Sequence, residues 1–268
     1  MGDFDGRVAF VTGAAHGQGR AVALALAASG ADIVGFDVAA KIEYPAYAQG
    51  SSDELDSLRR EVEALGRRAL VFTGDVRDAA AIQHAVDQTV AQFGRIDVLF
   101  NNAGIVAYAA ADEMTELEWD AMLDINLKGP FLVARAVIPV MKSAASGVII
   151  NNSSVMGLRG GNRLSHYVAS KHGLTGLTKA WAIELAPHAI RVVSIHPTGV
   201  DTPMNDGLAE LEGASALEIA ERSAGNLLPG VPWIETRDVA ELVLYLASDR
   251  ARFATGAQFT LDAGLLTR

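Results

Sequence analysis

The residues that could do chemistry centre on a tyrosine and a lysine one helical turn apart. Tyr167 and Lys171 lie four residues apart in a segment that predicts a helix, so their side chains share one face. A nearby positive charge favours the ionised form of a phenol, whose ordinary pKa is about 10. At about 4 Å and an effective dielectric near 20, one charge contributes roughly 4 kcal/mol, or at most about three pKa units. The pair therefore predicts a phenol with a pKa near 7, suited to moving a hydroxyl proton.

Two serines end a predicted strand shortly before that helix. The chain reads Asn151-Asn152-Ser153-Ser154, and a serine hydroxyl there could hydrogen-bond a substrate oxygen on which charge builds up. A tyrosine and a lysine at helical spacing are common by chance on protein surfaces. The nearby serines and a glycine-rich turn upstream favour a catalytic group over a chance surface pair.

That glycine-rich turn is typical of a nucleotide-binding site. Residues 12–19 read Thr-Gly-Ala-Ala-His-Gly-Gln-Gly and join a predicted strand to a predicted helix. The glycines let the backbone approach a ligand closely, and the helix N-terminus presents free N–H groups to a pyrophosphate. The spacing is neither Gly-x-Gly-x-x-Gly nor the Gly-Lys-Ser/Thr of a nucleotide triphosphatase.

An acidic residue at the end of the next predicted strand indicates which dinucleotide would bind. Asp37 lies 18 residues after Gly19, where a carboxylate can accept hydrogen bonds from both adenosine ribose hydroxyls. A 2′-phosphate would be repelled there, so we expect NAD rather than NADP. A solvated strand end with no ligand is the alternative for Asp37.

Short apolar runs that alternate with helical patterns must position these groups. Strands are predicted at 8–12, 32–37, 70–73, 97–100, 147–151, 191–196 and 257–261. Helices are predicted at 17–29, 51–65, 78–93, 115–142, 165–186 and 236–248. Strands separated by helices indicate right-handed βαβ crossovers. We therefore expect an α/β fold: a doubly wound, mostly parallel seven-stranded, Rossmann-like sheet with helices on both faces, in a single domain over 1–268.

Composition excludes several classes of function. The 268 residues carry a net charge of −10, which disfavours nucleic acid as a partner. No cysteine is present, so there is neither a disulfide nor a cysteine-ligated metal, and His166, His172 and His196 are not spaced as a metal set. With no export signal and no membrane-spanning run, we expect a cytoplasmic protein with no membrane partner.

From Arg7 to about Gly264 the chain resembles the short-chain dehydrogenase/reductase family. The resemblance rests on the turn at 12–19, Asp75-Val76, Asn101-Asn102-Ala103-Gly104, Asn126, Ser154, Tyr167-x-x-x-Lys171, and Pro197 with Thr202-Pro203-Met204. It implies an NAD-dependent enzyme that interconverts a secondary alcohol and its ketone. The implied catalytic residues are Asn126, Ser154, Tyr167 and Lys171. Ser154 is preferred to Ser153 because it stands 13 residues before Tyr167.

The resemblance also implies a role for each of these residues. Tyr167 would be the general acid/base, Lys171 would also hold the nicotinamide ribose, and Asn126 would hold a water that links Lys171 to solvent. The implied cofactor-binding residues are Gly13, Ala15, His16, Gly17, Gln18, Gly19, Asp37, Val38, Asp75, Val76, Asn102, Ala103, Gly104, Tyr167, Lys171, Val200 and Thr202, with no metal. The chain departs from the family at Pro197-Thr198-Gly199, where Pro-Gly is usual.

An insert after Asp37 narrows the resemblance. With Gln18, residues 38–50 resemble the carveol-dehydrogenase-like, mycofactocin-associated branch. That branch implies an insert that covers a non-exchanging NAD, and an external redox carrier as a further partner. A tolerated surface insertion is an equal alternative, since Tyr44, Pro45 and Tyr47 could pack on the cofactor or merely on the next helix.

Two other classes of function use part of this pattern. A methyltransferase also has a glycine-rich turn and an acid after the second strand. In a methyltransferase, however, the group of Ser154, Tyr167 and Lys171 would have no function. A non-catalytic dinucleotide sensor would not need that group intact. We expect residues 203–232 to form a lid over a substrate that is cyclic, terpenoid or otherwise apolar. The family resemblance implies a homotetramer, with the helices at 115–142 and 165–186 at subunit contacts.

Overall fold

Parallel strands form one central sheet, and its order brings the predicted site residues to one edge. The computed structural model describes residues 2–47, 49–223 and 225–267; Met1, Arg268, Ala48 of the insert and Ala224 of the expected lid lie outside the described residues. Within those ranges the sheet has seven strands in the order β3-β2-β1-β4-β5-β6-β7, all paired in parallel. The strands are β1 (Val8–Thr12), β2 (Asp32–Asp37), β3 (Ala69–Thr73), β4 (Val98–Asn101), β5 (Gly147–Asn152), β6 (Ile190–Pro197) and β7 (Gln258–Leu261).

The strand order reverses between β1 and β4. In doubly wound sheets such a reversal opens a crevice at the carboxyl ends of the strands, where ligands bind. The expected α/β, doubly wound fold is confirmed, and among the described strands the sheet is wholly rather than mostly parallel.

Helices cover both faces of the sheet. They are α1 (Gly17–Ala28), α2 (Ser52–Ala64), α3 (Ala79–Phe93), α4 (Glu116–Leu123), α5 (Gly129–Ala144), α6 (Ser165–Leu185), α7 (Pro203–Leu211), α8 (Ala216–Ser223) and α9 (Thr236–Ala247). Side chains of β1 alternate between the two resulting cores. Val11 packs with residues of α1, α2 and α9, whereas Phe10 packs with residues of α3, α5 and α6. Among the described helices, none has the length and apolar character needed to cross a membrane.

Local sequence signals account for where several helices begin and end. Ser51 caps α2 through a capping box with Glu54, and Asp78 accepts hydrogen bonds from the first amides of α3. Gly94 ends α3 in the left-handed region, at φ 77°. These signals place the ends of α2 and α3 within one residue of the predicted boundaries.

Two segments differ from the helical pattern in the sequence. The predicted helix at 115–142 is interrupted by a π-helical turn, Asp124–Lys128, between α4 and α5. Such a turn contains an extra residue that the 3.6-residue periodicity does not reveal. The segment at 203–232, which reads as irregular, contains α7 and α8. Both differences lie next to the predicted site.

Candidate active site

A cleft lies along the carboxyl edge of the sheet. It is lined by the glycine-rich turn, by the ends of β2, β4 and β5, and by α6. The predicted site residues that line it are Gly13, His16, Gly17, Gln18, Asp37, Val38, Asp75, Val76, Asn102, Ala103, Gly104, Tyr167, Lys171 and Thr202. The structure thus brings residues far apart in sequence into one cavity.

The glycine-rich turn forms one end of this cleft. Gly13 and Gly17 have φ values of +65° and +55°, which few other residues adopt, and Gly17 begins α1. Gly19 does not line the cleft, because it packs α1 against the turn: a Cβ there would lie 2.0 Å from the carbonyl oxygen of Gly13. The turn therefore presents the helix N-terminus, while Gly19 allows the close packing behind it.

Asp37 lies beside the turn and is only 6% exposed. Its carboxylate accepts hydrogen bonds from the amides of Ala15, at 2.9 Å, and Ala39, at 3.0 Å. Each carboxylate oxygen therefore keeps one lone pair for a further donor. Ala15 has a different position from the one predicted, because it is wholly buried behind the turn and holds Asp37 instead of lining the cleft.

A second carboxylate lies along the same end of the cleft. Asp75 pairs with Arg77, with a shortest N–O distance of 2.6 Å. Burial raises the pKa of Asp75, but the hydrogen bonds from Arg77 outweigh that effect and keep the pKa below its usual range. The next residue, Val76, contributes an apolar side chain to the wall of the cleft and packs against Gly129 at the start of α5.

The end of β4 is tied to the glycine-rich turn by a residue that the sequence reasoning did not single out. The hydroxyl of Thr12 accepts hydrogen bonds from the amides of Asn102, at 2.9 Å, and Ala103, at 3.0 Å. The side chain of Asn102 returns a bond of 2.9 Å to the carbonyl of Thr12. Gly104, which follows Ala103, packs against the side chain of Asn126. The sequence shows Thr12 as the first residue of the turn. Its role could not be predicted, because it depends on a contact with residues 90 positions away.

Tyr167 and Lys171 lie side by side at the other end of the cleft. The Lys171 ammonium is 5.6 Å from the centre of the Tyr167 ring, and it donates a 2.8 Å hydrogen bond to the carbonyl of Asn152 at the end of β5. Burial lowers the pKa of Lys171 to about 8. The expected helical pairing is therefore present.

The expected pKa of Tyr167 near 7 is wrong for the protein alone. Burial raises the pKa of Tyr167 to about 12, a hydrogen bond with Ser154 lowers it, and Tyr108 adds a smaller increase. The expected value assumed a lysine charge at about 4 Å in a partly solvated setting. In the structure, the loss of water around the phenol dominates. Ser154 itself is 9% exposed, and its neighbour Ser153 is the serine that lines the cleft.

Asn126 lies in the π-helical turn and is wholly buried. Its side chain accepts from the amide of Ile105 and donates to the carbonyl of the same residue, both at 2.8 Å. It also donates to the hydroxyl of Ser170, at 3.3 Å. Asn126 thus joins the loop after β4 to α6 from behind the cleft, and its link to Lys171 through water stays a prediction.

Two predicted residues follow β6. Thr202 lines the cleft, whereas Val200 is 4% exposed and pairs with Ile234 in an isolated parallel bridge. The carbonyl of Val200 accepts from the side chain of Asn205 in α7. The contact of Val200 with a carboxamide stays a prediction.

We call the insert at 38–50 the cover segment, because its side chains close one side of the cleft. The cleft is lined by Val38, Ile42, Tyr47, Gln49 and Gly50 from this segment. The insert therefore belongs to the cavity wall, and the alternative of a plain surface insertion does not describe it.

Tyrosines fasten the cover segment to the rest of the cleft. The hydroxyl of Tyr47 accepts from the amide of Val106 at 3.2 Å, and its ring packs against Gly207 of α7. The hydroxyl of Tyr44 lies 3.2 Å from Nε2 of His166, the residue before Tyr167. These contacts join the segment to the loop after β4, to α7 and to α6.

Asn152 is a further site residue that sequence reasoning missed. Its amide nitrogen donates to the side chains of Gln18 and Asn102, both at 2.9 Å. Its Oδ1 is buried and has no hydrogen-bond partner within the described ranges. A buried acceptor with no donor is costly, so this atom fits a ligand that brings a donor to the cleft. The Asn-Asn-Ser-Ser run was the available signal, but only its serines drew attention.

The donor set of the cleft fits a dinucleotide and not a metal. The turn leads into the N-terminus of α1, whose first amides can bind a pyrophosphate; Asp37 has lone pairs for ribose hydroxyls, and Asn152 has an unpaired acceptor. Across the described residues, no group of three or more His, Asp or Glu side chains is placed to hold a metal ion. Residues that could hold a dinucleotide thus share one cavity with a tyrosine that could move a proton.

A doubly wound parallel sheet with this combination defines a dinucleotide-dependent oxidoreductase. The chain belongs to the short-chain dehydrogenase family, whose model matches residues 7–213. The resemblance stated from the motifs is thereby confirmed.

Relatives with assigned activities cover almost the whole chain. It is 42% identical to (-)-trans-carveol dehydrogenase of Rhodococcus erythropolis, over 98% of this chain and 99% of that protein. It is 39% identical to trans-4-hydroxycyclohexanecarboxylate dehydrogenase of Sinomonas cyclohexanicum, over 96% of this chain and 92% of that protein. The crystal structure of carveol dehydrogenase from Mycobacterium avium in complex with NAD matches with a TM-score of 0.95 and 38% identity, over all of both chains.

Proposed function

We propose that this protein is an NAD-dependent dehydrogenase that interconverts a secondary alcohol and its ketone, with Tyr167 as the general acid/base. The observation that carries the proposal is the single cleft in which Tyr167 and Lys171 face the same space as Asp37 and the glycine-rich turn. The similarity to a carveol dehydrogenase solved with NAD supports both the reaction class and the cofactor.

When bound, the nicotinamide of NAD would exchange a hydride with the carbon that carries the hydroxyl. The chain itself handles the proton. In the alcohol-to-ketone direction, Oη of Tyr167 accepts the hydroxyl proton, and in the reverse direction it donates the proton to the ketone oxygen. Ser154, which hydrogen-bonds Tyr167, stabilises the charge that develops on the substrate oxygen. Because the pKa of Tyr167 is about 12 in the protein alone, even with Lys171 beside it, the acid form dominates until a further positive charge lies beside the phenol.

NAD is favoured over NADP by the charge around Asp37. The carboxylate is fixed by two amides, so it cannot turn away from a 2′-phosphate. The cover segment also packs there, because a Cβ at Gly50 would lie 3.2 Å from Oδ1 of Asp37. Among the described residues that line the cleft, Lys171 is the one lysine and no arginine occurs, so the lining itself offers no guanidinium to pair with a 2′-phosphate.

The substrate side of the cleft is proposed to lie under α7 and α8, as a lid within the single domain. Met204 of α7 lines the cleft, and Leu208 and Ile219 form a small apolar cluster against Val106 and Tyr108. An apolar roof suits a substrate of little charge. Carveol and hydroxycyclohexanecarboxylate, on which two relatives act, are both ring alcohols, and this supports a cyclic substrate.

We further propose that the cover segment retains NAD between turnovers, so that an external redox carrier reoxidises it. The support is the fastening of the segment through Tyr44 and Tyr47. The test is activity of the purified enzyme on cyclic secondary alcohols, with added NAD or with an artificial electron acceptor. Turnover only with the acceptor, in protein that contains bound NAD, would support retention. Turnover with added NAD at the same rate would contradict it.

A homotetramer is proposed from exposed apolar side chains on the helices that the family resemblance assigns to subunit contacts. Leu117 and Trp119 of α4, Phe131 of α5 and Ile183 of α6 are between 39% and 79% exposed. Light scattering coupled to gel filtration would measure the mass directly. A monomer at micromolar concentration would contradict the proposal.

The experiment that tests the proposed reaction is Tyr167→Phe. We expect kcat to fall by about 10³-fold, because the general acid/base is removed. NAD binding, measured by calorimetry, should change by less than about twofold, since the ring remains in place. Tyr245→Phe, at an exposed tyrosine of α9, is the matched control and should keep full activity. Substantial turnover by Tyr167→Phe would disprove the assignment.

A further inference from the structure

A buried histidine lies directly behind the serine of the proposed catalytic group. His196 is the penultimate residue of β6 and is wholly buried. Its Nδ1 lies 2.7 Å from the backbone carbonyl oxygen of Ser154, and its Nε2 lies 2.8 Å from the hydroxyl of Ser194. Both ring nitrogens thus have partners at short distance, and one partner is the backbone of a predicted catalytic residue.

The chemistry of these partners determines where the proton on the ring lies. A carbonyl oxygen only accepts hydrogen bonds, so Nδ1 of His196 carries the proton and donates it to Ser154. In the neutral ring Nε2 must then accept, and the hydroxyl of Ser194 donates to it.

The surroundings also keep this ring neutral. Burial lowers the pKa of His196 to about 4, the bond to Ser154 opposes that effect, and the charges of Lys171, His172 and Lys179 lower the pKa further. A neutral ring with its proton on Nδ1 is therefore kept across the pH range in which dehydrogenation is measured.

Ser154 is oriented by bonds on two sides. Its carbonyl accepts from the amide of Gly157, at 2.9 Å, as well as from His196, so both lone pairs of that oxygen are used. Its hydroxyl accepts from the amide of Met156, at 3.1 Å, and lies near enough to Tyr167 to lower the pKa of that phenol. The amides belong to the short turn that follows Ser154, whereas His196 belongs to the sheet. His196 is therefore the side chain that ties the carbonyl of Ser154 to the sheet, beside the backbone bond of 3.0 Å from the amide of Ser153 to the carbonyl of Ile195 in β6.

We propose that His196 is a positioning residue that, through the carbonyl of Ser154, aims the serine hydroxyl at Tyr167 and at the substrate oxygen. This inference rests on the proposed function, because it assigns Ser154 the stabilisation of that oxygen. A displacement of Ser154 by a fraction of an ångström weakens a hydrogen bond that matters most in the transition state. His196 acts on the rate of the chemical step and not on the binding of NAD.

Two substitutions test the roles of the two ring nitrogens of His196 separately. The amide nitrogen of asparagine can take the place of Nδ1, so His196→Asn keeps a donor toward Ser154. The longer glutamine places its amide near Nε2, so His196→Gln keeps a partner for Ser194 and loses the bond to Ser154. We expect kcat to fall about tenfold in His196→Gln and less than about threefold in His196→Asn, while the Kd for NAD changes by less than about twofold in both. Equal losses of kcat in the two variants would overturn the proposal.

A double-mutant cycle with Ser154→Ala tests whether the effect passes through the serine hydroxyl. If it does, adding His196→Gln to Ser154→Ala should cause no further loss of kcat. A full tenfold further loss would instead show a role independent of Ser154. If the wild-type enzyme binds NAD but turns over no alcohol, the proposed function fails, and that result is distinct from a failure of the cycle.

A measurement on the unaltered protein keeps the inference testable even if the variants unfold. The ¹⁵N chemical shifts of the histidine rings distinguish a proton on Nδ1 from a proton on Nε2 and from a charged ring. We expect His196 to be neutral with its proton on Nδ1 from pH 6 to pH 9. A proton on Nε2, or a charged ring at pH 6, would remove the bond to Ser154 and overturn the proposal.

Discussion

The floor and the cover of the cleft are built in different ways. The floor consists of the strand ends and α6, and its side chains are fixed mainly by backbone groups: Lys171 by the carbonyl of Asn152, and Asp37 by two amides. The cover consists of residues 38–50 and α7, which are joined to the floor by side chains such as Tyr47 and by the ion pair of Arg163 with Glu212. The floor is thus part of the sheet, whereas the cover is attached to it by a few contacts.

This difference implies a division of tasks. Changes in the floor should alter the chemical step or the affinity for NAD, because the groups proposed to touch the reacting atoms are there. Changes in the cover should alter how fast ligands enter and leave, because loops attached by few contacts open at low free-energy cost. Substitutions on the two sides should therefore affect different kinetic constants.

The largest effect is expected from the floor, for Lys171→Met. Lys171 lies beside Tyr167 and is the one lysine among the described residues that line the cleft, so we expect its removal to lower kcat by about 10²-fold or more. Steady-state kinetics at saturating substrate would measure it. Lys179→Met, at an exposed lysine two turns further along α6, is the control and should keep kcat. Unchanged kcat in Lys171→Met would mean that the floor does not contain the chemistry.

The same substitution should stabilise the fold at neutral pH. The lowering of the Lys171 pKa from 10.5 to about 8 corresponds to roughly 3 kcal/mol of unfavourable burial, of which about 1 kcal/mol is offset by the bond to Asn152. Between pH 8 and pH 10.5 the unfolded chain binds more protons than the folded chain. The penalty for burying the charged lysine is therefore complete below pH 8 and disappears as the pH rises toward 10.5. Lys171→Met should therefore raise Tm by about 5 °C at pH 7 and by less at pH 9.5.

The next effect is expected at the adenosine end of the floor, for Asp37→Asn. The amide keeps the shape but loses the charge and one acceptor, so the Kd for NAD should rise by about 30-fold. Kinetic preference for NAD over NADP should shrink by a similar factor. Calorimetric titrations with both dinucleotides would show it, with Asp53→Asn at an exposed position of α2 as the control. An unchanged Kd would leave Asp37 as a structural residue that only fixes the turn.

The floor was largely predictable from sequence because local signals determine it. Hydrophobic runs located the strands, and capping residues such as Ser51 and Asp78 located helix ends. A strand end followed by Gly or Asn indicates the ligand edge of a parallel sheet. Family resemblance then selected Ser154 among the neighbouring serines. What these signals could not provide was the degree of burial, which reversed the expected direction of the pKa shift of Tyr167.

The cover could not be predicted to the same extent because its contacts join distant segments. Nothing in the pattern of residues 38–50 indicates that Tyr44 reaches His166, 122 residues away, or that Tyr47 packs on Gly207. The π-helical turn that carries Asn126 was hidden for a related reason, since one added residue barely changes the helical period. His196 looked structural because its partner, the carbonyl of Ser154, belongs to another strand end.

A smaller effect is expected from the cover, for Tyr47→Ala. This substitution removes the packing on α7 and the hydrogen bond to Val106, so the dissociation rate of NAD should rise by about tenfold. Stopped-flow displacement of NAD would measure that rate, while kcat with saturating NAD should stay within about twofold. Tyr245→Ala, at an exposed tyrosine, controls for loss of a ring. A large loss of kcat with no change in NAD release would break the division between floor and cover.

The smallest effect is expected at the attachment of α7, for Glu212→Gln. Arg163 donates to both carboxylate oxygens of Glu212, at 2.8 and 3.2 Å, and its guanidinium lies 5.5 Å from the ring of Tyr108. Because the arginine side chain is 44% exposed, water screens the pair, and its loss costs only about 0.5–1 kcal/mol.

A loss of that size should raise the KM for the alcohol by about two- to fivefold, with kcat and NAD release unchanged, since the pair closes the substrate side and not the cofactor side. The effect should also vanish at about 1 M salt, where exposed charges are screened within about 3 Å. Glu210→Gln, at an exposed position two residues earlier in α7, is the control. If Glu212→Gln instead lowered kcat by tenfold or more, α7 would have to be assigned to the floor, because the loss of one screened ion pair in the cover should not change the chemical step.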